Sequence, residues 1–151
     1  MRKKSIFGLS LLALALIAAA CGGGSLEGEE VLVFGAPSTE SGDGKAIQEV
    51  FDDFTEETGI IATYVGSENF ESEIQVQLSS GDVPDIIYWP QPGGVVDAAE
   101  RGLLTPIADL GIDIDAYKAA YSPYLVSLGT VDGVVYGGAN AVNLKSIVWY
   151  Q

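Results

Sequence analysis

Histidine is absent from the 151 residues, and cysteine occurs once, at position 21. These gaps remove Ser-His-Asp and Cys-His nucleophilic machinery, histidine-ligated zinc and any internal disulfide. Positive charge is scarce as well: seven lysines and arginines stand against 21 aspartates and glutamates, a formal net charge of -14. Seven basic residues against 21 acidic ones are too few to build a cationic groove for nucleic acid or a polybasic membrane patch. What remains is a chain that is 48% hydrophobic, long enough for one globular domain with its own core and short for two.

The one basic cluster, Arg2, Lys3 and Lys4, precedes an uncharged run from Ile6 to Ala20 dominated by Leu, Ala and Ile. A helix of that run spans roughly 22 Å, at about 1.5 Å per residue, against a hydrocarbon core of roughly 30 Å. Residues 1–20 therefore read as a cleavable export signal. Ala18, Ala19, Ala20 and Cys21 resemble the lipobox of bacterial lipoprotein precursors, with Ala18 standing where Leu is commonest. Cys21 is the expected lipidation site, and residues 21–29, rich in glycine, read as the acylated cysteine and a flexible tether. The plainer alternative is a secretory signal whose cysteine is incidental. Removal of the signal leaves four basic residues against 21 acidic ones, a charge of -17. Such a surface stays soluble and is repelled by anionic lipid, so attachment to the membrane falls to the lipid alone.

Beyond the tether the pattern alternates. Val31 to Phe34 is a short apolar run closed by Gly35, as in a strand covered on both faces. The polar loop 36–44 follows, with Ser41 or Asp43 able to cap a helix. In that helix Ile47, Val50, Phe51 and Phe54 form one apolar stripe, and Gly59 ends it. Ile60 to Val65 reads as a second strand, and Phe70 to Ser80 as a second helix with Phe70, Ile74 and Leu78 at four-residue spacing and Gly81 as its stop. Asp85 to Trp89 is a third strand, and a third helix is expected from about Val95 to Arg101. Strand, helix, strand, helix, strand is the mark of an α/β unit with a mostly parallel sheet and flanking helices. Leu103 to Leu110 reads as irregular, helical turns follow near 116–128, Asp132-Gly133 suits a type I′ hairpin, and Ser146 to Tyr150 is strand-like.

Three local patterns bear on chemistry. Gly42, Asp43, Gly44 and Lys45 invite a phosphate-loop reading, but Thr39 stands where a glycine is needed and Ala46 where a hydroxyl is needed. As a small-molecule loop the segment fits better, since it follows the first strand, at whose carboxyl end open α/β sheets bind ligands, and Thr39, Glu40, Ser41 and Asp43 offer polar contacts. A solvated turn with helix caps is the plainer alternative for each of them. Tyr88, Trp89, Pro90 and Gln91 place two aromatics and an amide at the end of the third strand; an indole face stacks on the apolar face of a sugar ring while an amide holds its hydroxyls. Prolines on both sides of Gln91 stiffen a loop expected to run on through Gly94, and the alternative for Trp89 is core filling. The carboxylate pairs Asp82 with Asp85 and Asp113 with Asp115 read as turn and cap residues, lacking both the spacing of a glycosidase pair and the ligand set of a calcium loop.

A lipoprotein signal, a strand ending in FGAPST, a helix reading FDDFTEETGI, then SGDVPDIIYWPQPGGVVDAAERGLLTPI and VDGVVYGGANAVNLKSIVWYQ together resemble the extracellular solute-binding proteins, family 1, of carbohydrate ABC importers. The resemblance covers essentially everything after Cys21. It implies a type II periplasmic-binding-protein-like α/β protein of two lobes that closes on a sugar or oligosaccharide and presents it to permease subunits, as a monomer, without enzymatic activity, cofactor or metal. Carried over residue by residue, the ligand-facing positions are Ser38, Thr39 and Glu40, with Asp43 in the same loop; Trp89 and Gln91; and Asn143 and Lys145. Lys145 has a solvated surface role as its alternative, and Asn143 a turn.

Family members run to roughly four hundred residues, so residues 30–151 read as an incomplete N-terminal lobe with the second lobe absent. A half-cleft cannot exclude water from both faces of a sugar, and residues 22–151 by themselves are expected to bind weakly or not at all. The implied location is the outer face of the cytoplasmic membrane. Three readings compete with sugar capture: a binding protein for another solute, a secreted glycan-active α/β hydrolase, and a structural surface lipoprotein. An anion site would want an arginine, and Arg101, the single one beyond Cys21, reads as a surface residue near a helix end.

Overall fold

The structure is a computed structural model that describes residues 26–142. Cys21, the export run, Asn143, Lys145 and the strand-like run 146–150 lie outside the described residues. Three strands form the main sheet: β1 (Glu30–Gly35), β2 (Ile61–Gly66) and β3 (Ile86–Tyr88). Between them come α1 (Gly42–Thr58) and α2 (Phe70–Ser80). After β3 follow α3 (Pro92–Glu100), a single 3-10 turn at Ile107–Leu110, α4 (Ile114–Ala120), α5 (Pro123–Leu128) and a small hairpin of β4 (Thr130–Val131) and β5 (Val134–Val135). The α/β class and the order of the elements are those the apolar periodicity predicts.

The sheet order is β2-β1-β3, all parallel, with Gly35 opposite Gly66 on one side and Tyr88 on the other. With crossovers of the usual right hand, this order sends α1 and α2 to opposite faces. The core lies under α2: Phe34 of β1 packs with Phe70, Ile74 and Leu78, and with Ala98 of α3, while Ile87, Trp89 and Leu104 close its margin. The Phe34 and Phe70 rings meet at 5.3 Å. Full burial of each large apolar side chain contributes on the order of 2 kcal/mol, which makes the four-residue spacing in α2 the strongest single determinant of how that helix sits.

The first helix behaves differently from its pattern. Ser41 is its cap, accepting from the Gly44 N–H at 3.0 Å, and Gly59 ends it with φ 76°. Yet Val50 is 65% exposed and Phe54 40%. The cause is on the neighbouring face. Gln48 Oε1 accepts the Tyr64 N–H at 2.7 Å, Gln48 Nε2 donates to the Ala62 carbonyl at 3.2 Å, and Thr55 Oγ1 accepts the Ala62 N–H at 3.2 Å. These side chains stand in for a fourth strand along the outer edge of β2, satisfying backbone groups that would otherwise be left bare. The helix is turned to serve that edge, and part of its apolar stripe is left open. β1 likewise is covered on both faces only toward its carboxyl end: Val33, Phe34 and Gly35 are buried, whereas Leu32 is exposed.

Two further differences concern polar residues and a loop. Asp85 is more than a turn residue, since its carboxylate accepts the Leu32 N–H at 2.8 Å, one step before the β1–β3 ladder begins at Val33 and Ile86. Pro92, Gly93 and Gly94 belong to α3 and not to the preceding loop, because proline at the first helical position gives up only an N–H that has no partner in the helix. The segment 103–110 is irregular apart from the 3-10 turn, Asp113 caps α4 through the Asp115 and Ala116 N–H groups, and Asp132-Gly133 forms the hairpin turn with φ 50° and 82°.

Tyr64 ties the sheet to the first loop. Its ring is buried edge-on to Tyr88 at 6.4 Å, and its hydroxyl donates to the Pro37 carbonyl at 2.7 Å. Burial, with the neighbouring Tyr88 adding to it, pushes the phenol up from 10.0 to about 12. Below pH 10 the phenol is neutral in both folded and unfolded chains; from pH 10 to about 12 the unfolded chain ionises first, so stability falls as pH rises through this window. Tyr64→Phe is expected to lose about 1 kcal/mol at neutral pH with its hydrogen bond. The same variant escapes the alkaline loss, so denaturant unfolding at stepped pH should show the wild type giving up roughly 2–3 kcal/mol relative to it across that window.

Candidate functional site

Because Gly35 pairs with both Gly66 and Tyr88, the loops leaving β1 and β3 emerge side by side at the carboxyl edge of the sheet. In an open sheet whose second crossover reverses direction past β1, that edge is where a crevice forms. The first loop is braced from below. Thr39 Oγ1 accepts the Gly66 N–H at 2.7 Å, and the Thr39 N–H donates to the Gly66 carbonyl at 3.3 Å. The Ser38 carbonyl accepts both the Ser41 N–H at 2.9 Å and the Ser41 hydroxyl at 2.6 Å. Thr39 thus spends its side chain on the end of β2. Ser38 is half-buried, Glu40 is exposed with Lys45 4.0 Å away, and Asp43 is exposed in the first turn of α1, where a negative charge suits the helix dipole.

The second loop holds the better-formed feature. Trp89 sits edge-on to Phe70, ring centres 6.0 Å apart, and its indole lies against the Cα of Gly94 so closely that any side chain at 94 would overlap it. Trp89 is therefore held on the core side by Phe70 and against α3 by Gly94. Trp89 also lines a pocket of about 110 Å³. Trp89, Pro90, Pro92 and Val95 wall one side, and Leu125, Leu128, Gly129 and the stretch 137–141 the other. None of the described residues lining it carries a charge. The stretch 137–141 is held there by the hairpin, with the Gly129 carbonyl accepting the Tyr136 N–H at 2.8 Å and the Gly137 N–H at 3.3 Å. The volume is small beside the roughly 300–1,000 Å³ of small-molecule sites.

Of the expected positions that are among the described residues, Trp89 alone lines this pocket. Gln91 is exposed between two lining prolines as the cap residue of α3, its side chain making no capping bond. Ser38, Thr39, Glu40 and Asp43 lie in and beside the neighbouring loop, outside the pocket walls, and Asn143 and Lys145 fall outside the described residues. Leu125, Leu128 and Asn140 were not foreseen. The hairpin that delivers 137–141 was readable from Asp132-Gly133, but which wall it would complete was not. Arg101 stands at the far end of α3, bound to Asp97 at 3.0 Å and to Gln75 at 3.1 Å. Among the described residues no cluster of His, Cys, Asp and Glu is placed to hold a metal, and no helix is long and apolar enough to cross a membrane.

With this geometry in place, comparison with known proteins is informative. A family model described as bacterial extracellular solute-binding protein matches residues 38–145. The osmoprotective compounds-binding protein GgtB of Synechocystis is 32% identical over 150 residues, which is 96% of this chain and 35% of that protein. The alpha-glucosides-binding periplasmic protein AglE of Rhizobium meliloti is 35% identical over 135 residues, 85% of this chain and 29% of that protein. The chain spans about a third of the length of these curated relatives.

The Trp89 seat is testable without any ligand. Gly94→Ala forces the indole aside and is expected to cost about 1–3 kcal/mol and to shift Trp89 emission in a Trp149→Phe background. Gly93→Ala, which meets nothing within 4 Å, is expected to leave both unchanged or to add slight stability through helix propensity.

Proposed function

This chain belongs to the bacterial extracellular solute-binding proteins, and on that footing we propose that it captures a sugar or oligosaccharide outside the cytoplasmic membrane and delivers it to the permease of an ABC importer. The observation that carries the reading is a tryptophan at the carboxyl edge of a parallel sheet that packs on the core through Phe70 and lines a pocket whose described wall residues bear no charge. An aromatic face and backbone amides without ionic groups suit a neutral, hydroxyl-bearing ring. Arg101 is spent on Asp97 and Gln75, away from the pocket, which weighs against an anionic solute. A relative named for alpha-glucosides agrees with this ligand class; the relative named for osmoprotective compounds supports a second reading, another small solute.

In this proposal residues 1–20 are removed on export, Cys21 is acylated and residues 21–29 are the leash, so the protein works as a lipid-anchored monomer on the outer face of the membrane. Residues 30–151 form part of the N-terminal lobe of a type II periplasmic-binding fold. Ser38, Glu40, Asp43, Gln91, Asn143 and Lys145 supply polar contacts around Trp89, and Thr39 acts mainly as the brace beneath them. The role is binding and release; no catalytic step, metal or cofactor enters.

Tryptophan emission of the full-length two-lobed protein carrying Trp149→Phe, titrated with maltose, sucrose and trehalose, is expected to change saturably, whereas residues 22–151 by themselves respond weakly or not at all. Trp89→Leu should weaken binding measured by calorimetry about tenfold or more, and Glu40→Gln by much less. Binding of amino acids or phosphate with no response to any neutral sugar would overturn the reading, as would release of product from an aryl glycoside.

A further inference from the structure

The pocket beside Trp89 has two kinds of wall. On the α3 side Trp89 is the single described lining residue whose side chain can donate a hydrogen bond, and its indole nitrogen lies against Gly94. On the opposite side the described lining residues are leucine, glycine and alanine, with one exception, Asn140. Asn140 is exposed, and its side-chain amide makes no hydrogen bond among the described residues. A primary amide carries two donors and an acceptor with two lone pairs, so Asn140 brings most of the hydrogen-bonding capacity that described side chains give this pocket.

Asn140 is also set in its place by a built device. The Gly129 carbonyl accepts the Tyr136 N–H at 2.8 Å and the Gly137 N–H at 3.3 Å, and a Cβ on Gly129 would overlap the Gly137 carbonyl. Nothing in the Gly129 backbone asks for glycine, since its φ is -110°, a value that any residue adopts. The missing side chain is needed only for the two segments to approach this closely. On its other side Gly137 stands against α3, where a Cβ built at 137 would lie 3.1 Å from Val95. The chain is thus pinched between the two walls at Gly137, where it is half-buried, and runs outward to the exposed Asn140 three residues on. An exposed amide on the rim of the pocket is open to a ligand arriving from solvent.

We infer that Asn140 is a specificity-determining residue of the binding site: across the pocket from Trp89, its amide hydrogen-bonds the hydroxyls of the sugar ring that stacks on the indole. This rests on the sugar-binding reading above and extends it to a residue that the sequence pattern does not single out. Stacking holds rings of one shape alike, whatever hydroxyls they carry. An amide accepts from one hydroxyl and donates to its neighbour, and a ring lacking either forfeits that bond. Gly129 is a positioning residue, acting on the ligand only through where it sets the stretch 137–140.

The test is calorimetry on the full-length two-lobed protein with the best binder among maltose, sucrose and trehalose and with its monodeoxy analogues. Asn140→Ala should weaken binding of the parent sugar roughly three- to tenfold. Its melting temperature without sugar should be unchanged, because the amide has no partner among the described residues to lose. At one ring position, or at two adjacent ones, the deoxy analogue should bind the wild type weaker by the same factor, and bind Asn140→Ala as well as the parent sugar does. Such position-specific coupling is what a merely structural role would not produce. Gly129→Ala should weaken binding and flatten the differences among the analogues. Equal losses for the parent and every analogue on Asn140→Ala, or no loss at all, overturn the inference while leaving sugar capture intact. Failure of the wild type to bind any of these sugars overturns the sugar-binding reading and the inference with it.

Discussion

β1 lies between two parallel neighbours, and its last residue, Gly35, pairs with Gly66 and with Tyr88. A parallel sheet of order β2-β1-β3 can be made only by one crossover to each side of the first strand. The loop that opens α1 and the loop that opens α3 must then leave the sheet next to one another. Everything proposed for the site depends on this adjacency. The brace from Thr39 to Gly66, the Tyr64 hydroxyl on the Pro37 carbonyl and the seat of Trp89 on Phe70 are local devices that stiffen two loops the ladder has already brought together.

Charge and site are separated in this molecule. Acidic residues crowd the exposed faces of α1 and the loops, while the described residues that wall the pocket at Trp89 are apolar, proline and glycine with a single amide side chain, Asn140. A strongly negative surface keeps a protein soluble and discourages anionic partners, but its field does little to an uncharged ligand. Recognition must then come from shape, from stacking and from hydrogen bonds. Stacking is indifferent to which hydroxyls a ring bears, so the polar contacts have to provide selectivity.

The periodicity of α2 was legible because its three buried residues, Phe70, Ile74 and Leu78, all point to one partner, the face of the sheet at Phe34. That of α1 misled in part. Its apolar stripe predicts full burial, yet the outer edge of β2 has unmet backbone groups, and Gln48 and Thr55 answer them. Hydrogen-bonding needs of an edge strand outweigh the packing of Val50, and no pattern within α1 reveals where that edge will be. The same reason underlies Asp85, whose role belongs to Leu32, 53 residues away.

The amino-acid sequence by itself determined the alternation of strands and helices, a cap at Ser41 or Asp43, turn or cap roles for Asp113 and Asp115, the stops at Gly59 and Gly81, the type I′ hairpin and the aromatic at the end of the third strand. Each of these is set by residues within a few positions of one another, where propensity, capping and side-chain period act. Only the tertiary structure decided that Trp89 faces the 137–141 stretch across a pocket, that Thr39 is spent on Gly66, and that the carboxylate of Asp85 serves the Leu32 N–H. Those outcomes depend on which segments meet after the sheet has formed, and contacts across such separations leave no period or spacing in the chain to read.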